Sequence, residues 1–133
     1  MIYVLDAGPM IALLANEPGA DVTEGVLTEP GSACYAHVFN LAEIYYIYHR
    51  RGGVTAAESA LQDLLDAGVI ARNDADTAFW KNAAILKASH AIALPDAFCL
   101  ALARRLSATA VTADHNEFDP LVPLGLCPIR FIR

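Results

Sequence analysis

Ile2-Tyr3-Val4-Leu5-Asp6, followed by Ala7-Gly8-Pro9, is the stretch that decides the fold. Four apolar residues, with β-branched and aromatic members among them, read as a short strand buried on both faces, as in a parallel sheet. The run stops on a carboxylate. Gly8 supplies backbone freedom and Pro9 suits the first turn of a helix, so the chain passes from strand to helix just after Asp6. Open α/β sheets place their chemistry at the C-terminal ends of central strands, where Asp6 would sit. A solvated turn aspartate beside a helix N-terminus is the plainer reading, and it stands unless other carboxylates reach the same place.

Downstream the pattern alternates. Pro9 to Ala15 is a helix, Asn16-Glu17-Pro18-Gly19 a turn, Ala20 to Leu27 a second helix, and Glu29-Pro30-Gly31 another turn. Ser32 to Ala36 reads as the second strand. His37 to Arg51 is a helix closed by Gly52-Gly53, with His49, Arg50 and Arg51 matched to the negative end of its dipole. Thr55 and Glu58 have capping-box spacing and open a helix to Leu65 or Asp66. Val69 to Arg72 is a third strand, and Asp74 or Asp76 caps a helix from Ala75 to Ala88. Ala91 to Leu94 is a loop or extended piece, after which Pro95 starts an apolar helix from Asp96 to Leu106. Thr109 to Ala113 is a fourth strand, and Cys127 to Ile132 a final one at an edge. This alternation predicts one domain, residues 1–133, folded as a three-layer α/β/α sandwich with a mainly parallel central sheet.

Composition narrows the function classes. A hydrophobic fraction of 56% with only 18% charged residues leaves little polar surface, so oligomerisation is expected. No apolar run is long enough to span a bilayer and the start lacks the basic region of a secretory signal, so a cytoplasmic protein with no membrane partner is expected. Cys34, Cys99 and Cys127 lack CxxC spacing and read as small buried thiols rather than a disulfide frame or zinc site. A net charge of −6 opposes general affinity for nucleic acid, so a polyanionic partner would need bound cations or local arginines.

Four carboxylates carry the chemical signal. Glu43 lies in a helix that is apolar around most of its circumference, where an unpaired buried charge would cost several kcal/mol, roughly. Asn40 lies one turn earlier on the same face. Asp96 opens the apolar helix after Pro95. Asp114 ends a strand as Asp6 does, with Thr112 two residues earlier on the same side of the pleat. Each has a plainer reading, as a solvated stripe, a helix cap or a turn. Gathered at one crevice, the four would repel one another unless cations neutralised them, and Mg²⁺ or Mn²⁺ prefers such oxygen ligands. That chemistry suits metal-assisted phosphodiester hydrolysis.

With these residues the chain resembles the PIN-domain ribonucleases, and among them the VapC-like toxins of bacterial toxin–antitoxin pairs. The matching motifs are Tyr3-Val4-Leu5-Asp6, Asn40-Leu41-Ala42-Glu43-Ile44-Tyr45-Tyr46, Leu94-Pro95-Asp96-Ala97-Phe98-Cys99-Leu100-Ala101-Leu102-Ala103, and Val111-Thr112-Ala113-Asp114 before Phe118-Asp119-Pro120-Leu121. The resemblance implies a Mg²⁺- or Mn²⁺-dependent endoribonuclease acting on RNA, a homodimer, and a cognate antitoxin that inhibits it by binding over the active site. It implies Asp6, Glu43, Asp96 and Asp114 as catalytic metal ligands, Thr112 as a supporting hydroxyl and Asn116 as a weaker extra ligand. The chain departs from the family pattern at Ala7, where Ser or Thr is common, and at Asn116 or Glu117, where a further aspartate is common.

Arg50, Arg51, Arg104 and Arg105 are the candidate RNA contacts, although helix C-terminal cations explain them equally well. Tyr45, Tyr46 and Tyr48 could stack bases, with core or dimer packing as the plainer use. His115 reads as a turn histidine. A phospho-acceptor domain would need a lysine after a late strand, and none follows Thr112. The remaining alternative is a catalytically idle module whose acidic crevice docks a basic partner segment.

Overall fold

The computed structural model describes residues 1–133. Five strands, β1 (Ile2–Leu5), β2 (Ala33–His37), β3 (Val69–Arg72), β4 (Thr109–Thr112) and β5 (Ile129–Phe131), form one sheet in the order β3-β2-β1-β4-β5. Every pairing is parallel. The opening strand is therefore central and the last one is an edge, as the sequence predicts. Between them run α1 (Ala7–Ala15), α2 (Ala20–Thr28), α3 (Val38–Asp66), α4 (Thr77–Ser89) and α5 (Leu94–Arg105).

The period-two pleat divides each central strand between two cores. Val4 and Ala110 face α4 and α5, whereas Tyr3, Leu5 and Val111 face α1, α2 and α3. Each fully buried Leu or Phe side chain contributes about 1.5–3 kcal/mol, so both faces need a helical cover. Helix α5 lies between the sheet and α4, which explains why Asp96 to Ala103 are all buried.

Some expectations shift in detail. The helix before Gly52-Gly53 and the helix after it run on as α3, but the backbone is non-helical at both glycines, and Gly53 has φ 72° and ψ −164°. Glu58 accepts a hydrogen bond from the Tyr45 hydroxyl at 3.1 Å, so it ties the two halves of α3 together. Gly8 is needed for proximity rather than for an unusual φ: a Cβ there would lie 3.1 Å from the Ala113 Cβ. The segment after β4 is ordered as a short helix, α6 (His115–Phe118), and a 3-10 turn over Asp119–Leu124. Cys34 and Cys99 are buried, but Cys127 is only half-buried, because it precedes an edge strand with no further strand to cover it.

Asp76 caps α4 through the Phe79 N–H, and Asp74 ties the loop before it to two arginines. Arg72 Nε lies 2.8 Å from one Asp74 oxygen and Arg105 Nη1 3.0 Å from the other. The Arg72 hydrogen bond, joined by Arg105, pulls the Asp74 carboxyl down to about 2. A carboxyl whose folded pKa lies below its unfolded value stabilises the fold above the unfolded pKa of about 3.9 and loses that contribution as pH falls towards 2. Asp74→Asn should therefore lower the melting temperature at pH 7 and flatten its fall between about pH 4 and 2, as read by thermal denaturation across pH. Gly53→Ala should destabilise by about 1–3 kcal/mol in denaturant titration, because its backbone conformation is open essentially to glycine alone.

Candidate metal centre

Strands β1 and β4 are neighbours, yet the chain leaves β1 towards β2 on one side and β4 towards β5 on the other. That reversal is the topological switch point, where parallel sheets open a crevice beyond their C-terminal ends. Asp6 follows β1 and Asp114 follows β4 by two residues. The crevice between them, of about 620 Å³, is also lined by Glu43 from α3, Asp96 from α5 and Glu117 from α6. All four sequence-predicted carboxylates line this one place.

Asp6 is buried. Its Oδ1 accepts from the Ala7 N–H at 2.8 Å and from Asn40 Nδ2 at 3.3 Å, and its Oδ2 accepts from the Thr112 hydroxyl at 2.9 Å. The same hydroxyl oxygen accepts from the Asp114 N–H at 3.1 Å, so Thr112 bridges the two strand ends. Asp114 caps α6, its Oδ1 accepting from the Glu117 N–H at 3.0 Å. Glu117 in turn accepts from the Ala93 N–H, at the start of α5, at 2.9 Å. Asn40 is fully buried and its amide also donates to the Pro95 carbonyl at 3.3 Å, tying α3 to α5.

Asp96, Asp114 and Glu117 form the tightest group, with one oxygen from each lying within 4.8 Å of the other two. The Asp114-x-x-Glu117 spacing of a capping box is the signal that could have ranked Glu117 above Asn116. Asn116 does line the crevice, but it is exposed and Glu117 is the residue in the close group. Ala7, where the family pattern thins, is a buried wall of the crevice.

Burial, with Glu117 and Asp6 beside it, pushes the Asp96 carboxyl up to about 10. Burial also raises Asp6, opposed by the Ala7 N–H and by hydrogen bonds from Asp96 and Thr112. Both shifts favour the neutral form of a carboxyl in this crowded acidic set. Glu43 is half-buried and is pushed up to about 7 by burial and by the charge of Asp6. Its Oε1 and the Asn40 Oδ1 are buried without a hydrogen-bond partner. An orphaned carboxylate oxygen beside three converging carboxylates fits a hard divalent cation, which prefers oxygen ligands and offsets their repulsion.

The four candidate arginines do not line the crevice. Arg50 and Arg51 are exposed over the Tyr46 and Tyr48 rings, Arg104 is exposed, and Arg105 is paired with Asp74 and Asp76. His115 lies on the rim, stacked on Phe131 with ring centroids 4.1 Å apart. Arg133, which the sequence reading passed over, is the crevice's single arginine, carried there from the far end of β5.

Fold and site together define a parallel α/β/α domain with an acidic crevice at its switch point. A family model of the PIN domain matches residues 3–120, and the chain belongs to that family. Solved structures share the fold. VapBC2 from Rickettsia felis, bound to a promoter DNA fragment, aligns with a TM-score of 0.75 at 16% identity over 98% of each chain. VapBC-1 from nontypeable Haemophilus influenzae aligns with a TM-score of 0.71 at 20% identity, over 99% of this chain and 98% of that one. VapC20 from Mycobacterium tuberculosis, described as a Sarcin-Ricin loop cleaving toxin, gives 0.71 at 18% identity, over 90% and 95%. No curated protein sequence matches significantly.

Because burial and neighbouring carboxylates disfavour the charged form of Asp96, Asp96→Asn should leave the metal-free melting temperature unchanged or raise it. Mn²⁺ should raise the melting temperature of the unaltered protein, and the same change should abolish that rise. Differential scanning fluorimetry with and without Mn²⁺ reads both effects.

Proposed function

We propose that the protein is a Mg²⁺- or Mn²⁺-dependent endoribonuclease that hydrolyses RNA phosphodiester bonds, with Asp6, Glu43, Asp96 and Asp114 as its catalytic and metal-binding set. The observation that carries this reading is the convergence of those carboxylates, with Glu117, on one crevice. Membership of the PIN family supports it. So does the likeness to the M. tuberculosis protein, a Sarcin-Ricin loop cleaving toxin.

Asp96, Asp114 and Glu117 would hold a cation between them, with Glu43 completing the site through its unpartnered oxygen. Bound there, Mg²⁺ or Mn²⁺ supplies charge neutralisation at the scissile phosphate and an acidified water. The protein's own groups do the rest. Ala7 N–H, Asn40 and Thr112 fix the Asp6 carboxylate through three donors, so that it is aimed before substrate arrives. Glu43 from α3 lines the same crevice and supplies the fourth carboxylate of the set. Asn116 on the rim serves as a weaker extra ligand. Arg50, Arg51 and Arg104 remain candidate contacts for distant parts of an RNA, and Arg105 joins them only where its ion pairs are given up.

We further place the protein as the toxin of a toxin–antitoxin pair, a homodimer inhibited by its cognate antitoxin. The structural relatives from R. felis and H. influenzae are VapBC pairs. A mainly apolar groove of about 430 Å³ lies between the two halves of α3, lined by Leu41, Tyr45, Tyr46, Leu61 and Leu65 among others. Phe39 and Leu94 are further exposed apolar side chains. Surface of this kind supports a protein partner.

RNA cleavage by the purified protein should require added Mg²⁺ or Mn²⁺ and stop on adding EDTA. Asp96→Asn and Asp114→Asn should each lower it by about 10² or more, and Thr112→Val by less. Gel analysis of labelled RNA checks this. Undiminished cleavage by both aspartate variants would sink the assigned site.

A further inference from the structure

Thirteen residues line the acidic crevice, and Arg133 is the only lysine or arginine among them. Its position is set at both ends. The backbone oxygen of Arg133 accepts from His115 Nε2 at 2.7 Å, and the His115 ring is itself held by stacking on Phe131 and by Asp119 at 2.9 Å. At the other end, Nη1 donates to the Pro18 carbonyl at 2.6 Å, with Glu17 Oε1 further off at 3.9 Å. Nε and Nη2 donate to nothing in the protein, and the side chain is 42% exposed.

An RNA strand entering this crevice meets five carboxylates on a protein of net charge −6. A cation held by the carboxylates offsets that field at the scissile phosphate only, and the phosphates on either side need their own counter-charge. The other arginines are poorly placed to supply it. Arg72 and Arg105 are committed to Asp74 and Asp76, while Arg50 and Arg51 lie over tyrosine rings outside the crevice. A guanidinium anchored through one nitrogen keeps the planar fork of donors that matches phosphate oxygens, and less side-chain freedom is lost when they bind.

We propose that Arg133, pinned by His115 and the Pro18 carbonyl at the rim of the crevice, is a substrate-positioning residue that binds the RNA phosphate next to the scissile one. The proposal rests on the ribonuclease reading above. It assigns His115 a positioning role through the Arg133 backbone, with no proton transfer.

The test is fluorescence anisotropy of a short, fluorescein-labelled, mixed-sequence single-stranded RNA, titrated with full-length protein in Ca²⁺ at several salt concentrations. Arg133→Gln should weaken binding about tenfold and reduce the slope of log affinity against log salt by about one. Arg133→Lys should keep most of the affinity, because the charge is retained. Both variants should keep the Mn²⁺-induced rise in melting temperature, which reports the carboxylates. Wild-type affinity and slope in Arg133→Gln would overturn the proposal alone. Equal losses of affinity in the Gln and Lys variants, together with lower melting temperatures, would also overturn it, showing Arg133 to be a strap between β5 and the α1–α2 turn. Failure of the unaltered protein to bind RNA at all would bring down the ribonuclease reading, and the proposal with it.

Discussion

Parallel pairing of β1 with β4 is the constraint on which the rest of this structure depends. Because both strands run the same way, both end at the same edge, and Thr112 can hydrogen-bond Asp6 across the gap. An antiparallel neighbour would carry Asp114 to the opposite edge, some four residues' length away. The β1–β4 boundary is also where the connections diverge, so no crossover fills the space beyond the strand ends. Into that space come the first turn of α5 and the early turns of α3, joined to each other by Asn40. Gly8 lets α1 begin in close contact with Ala113, which keeps the two strand ends together.

Gathering five carboxylates there is unfavourable, and the fold offsets it with local donors. Ala7, Glu117 and Ala93 give backbone N–H groups, while Thr112 and Asn40 give side-chain ones. Asp6 and Asp114 are at once helix caps and crevice residues, so the plain reading of each and the chemical one describe the same hydrogen bonds. What local donors leave uncompensated is concentrated at Glu43 and Asn40, each with a buried oxygen lacking a partner. Strain of this kind at a site, within a domain otherwise well satisfied, is where function is expected.

The cations show a complementary economy. Arg72 and Arg105 fasten the loop before α4, and Arg105 also lies over the Phe79 ring. Arg50 and Arg51 lie along the tyrosines of α3. Little positive charge is left to face the crevice, in keeping with a protein whose net charge is −6. Binding of any polyanion there must be local, through bound cations and a single rim arginine, rather than through a broad basic face.

Much of this was legible in the chain itself. A strand ending at Asp6, a glycine pair interrupting a helix, and an apolar helix opened by Pro95-Asp96 are local patterns of hydropathy and backbone preference, and the matching elements form where those patterns fall. Four carboxylates could be named because each interrupts an apolar setting that local sequence displays. Glu117 was harder, since it sits among polar neighbours in a segment that reads as a loop, and its capping-box spacing from Asp114 is its one local sign. Arg133 carried no signal at all. Its place depends on β5 lying parallel to β4 and on His115 meeting it at the crevice rim, contacts between residues apart in the chain. Sequence by itself determined the elements, their alternation and the acidic character of their ends, because those follow from neighbours a few residues apart. Only the tertiary structure decided which ends meet, which carboxylates burial drives towards the neutral form and which cation reaches the same crevice, because burial and charge coupling act through space.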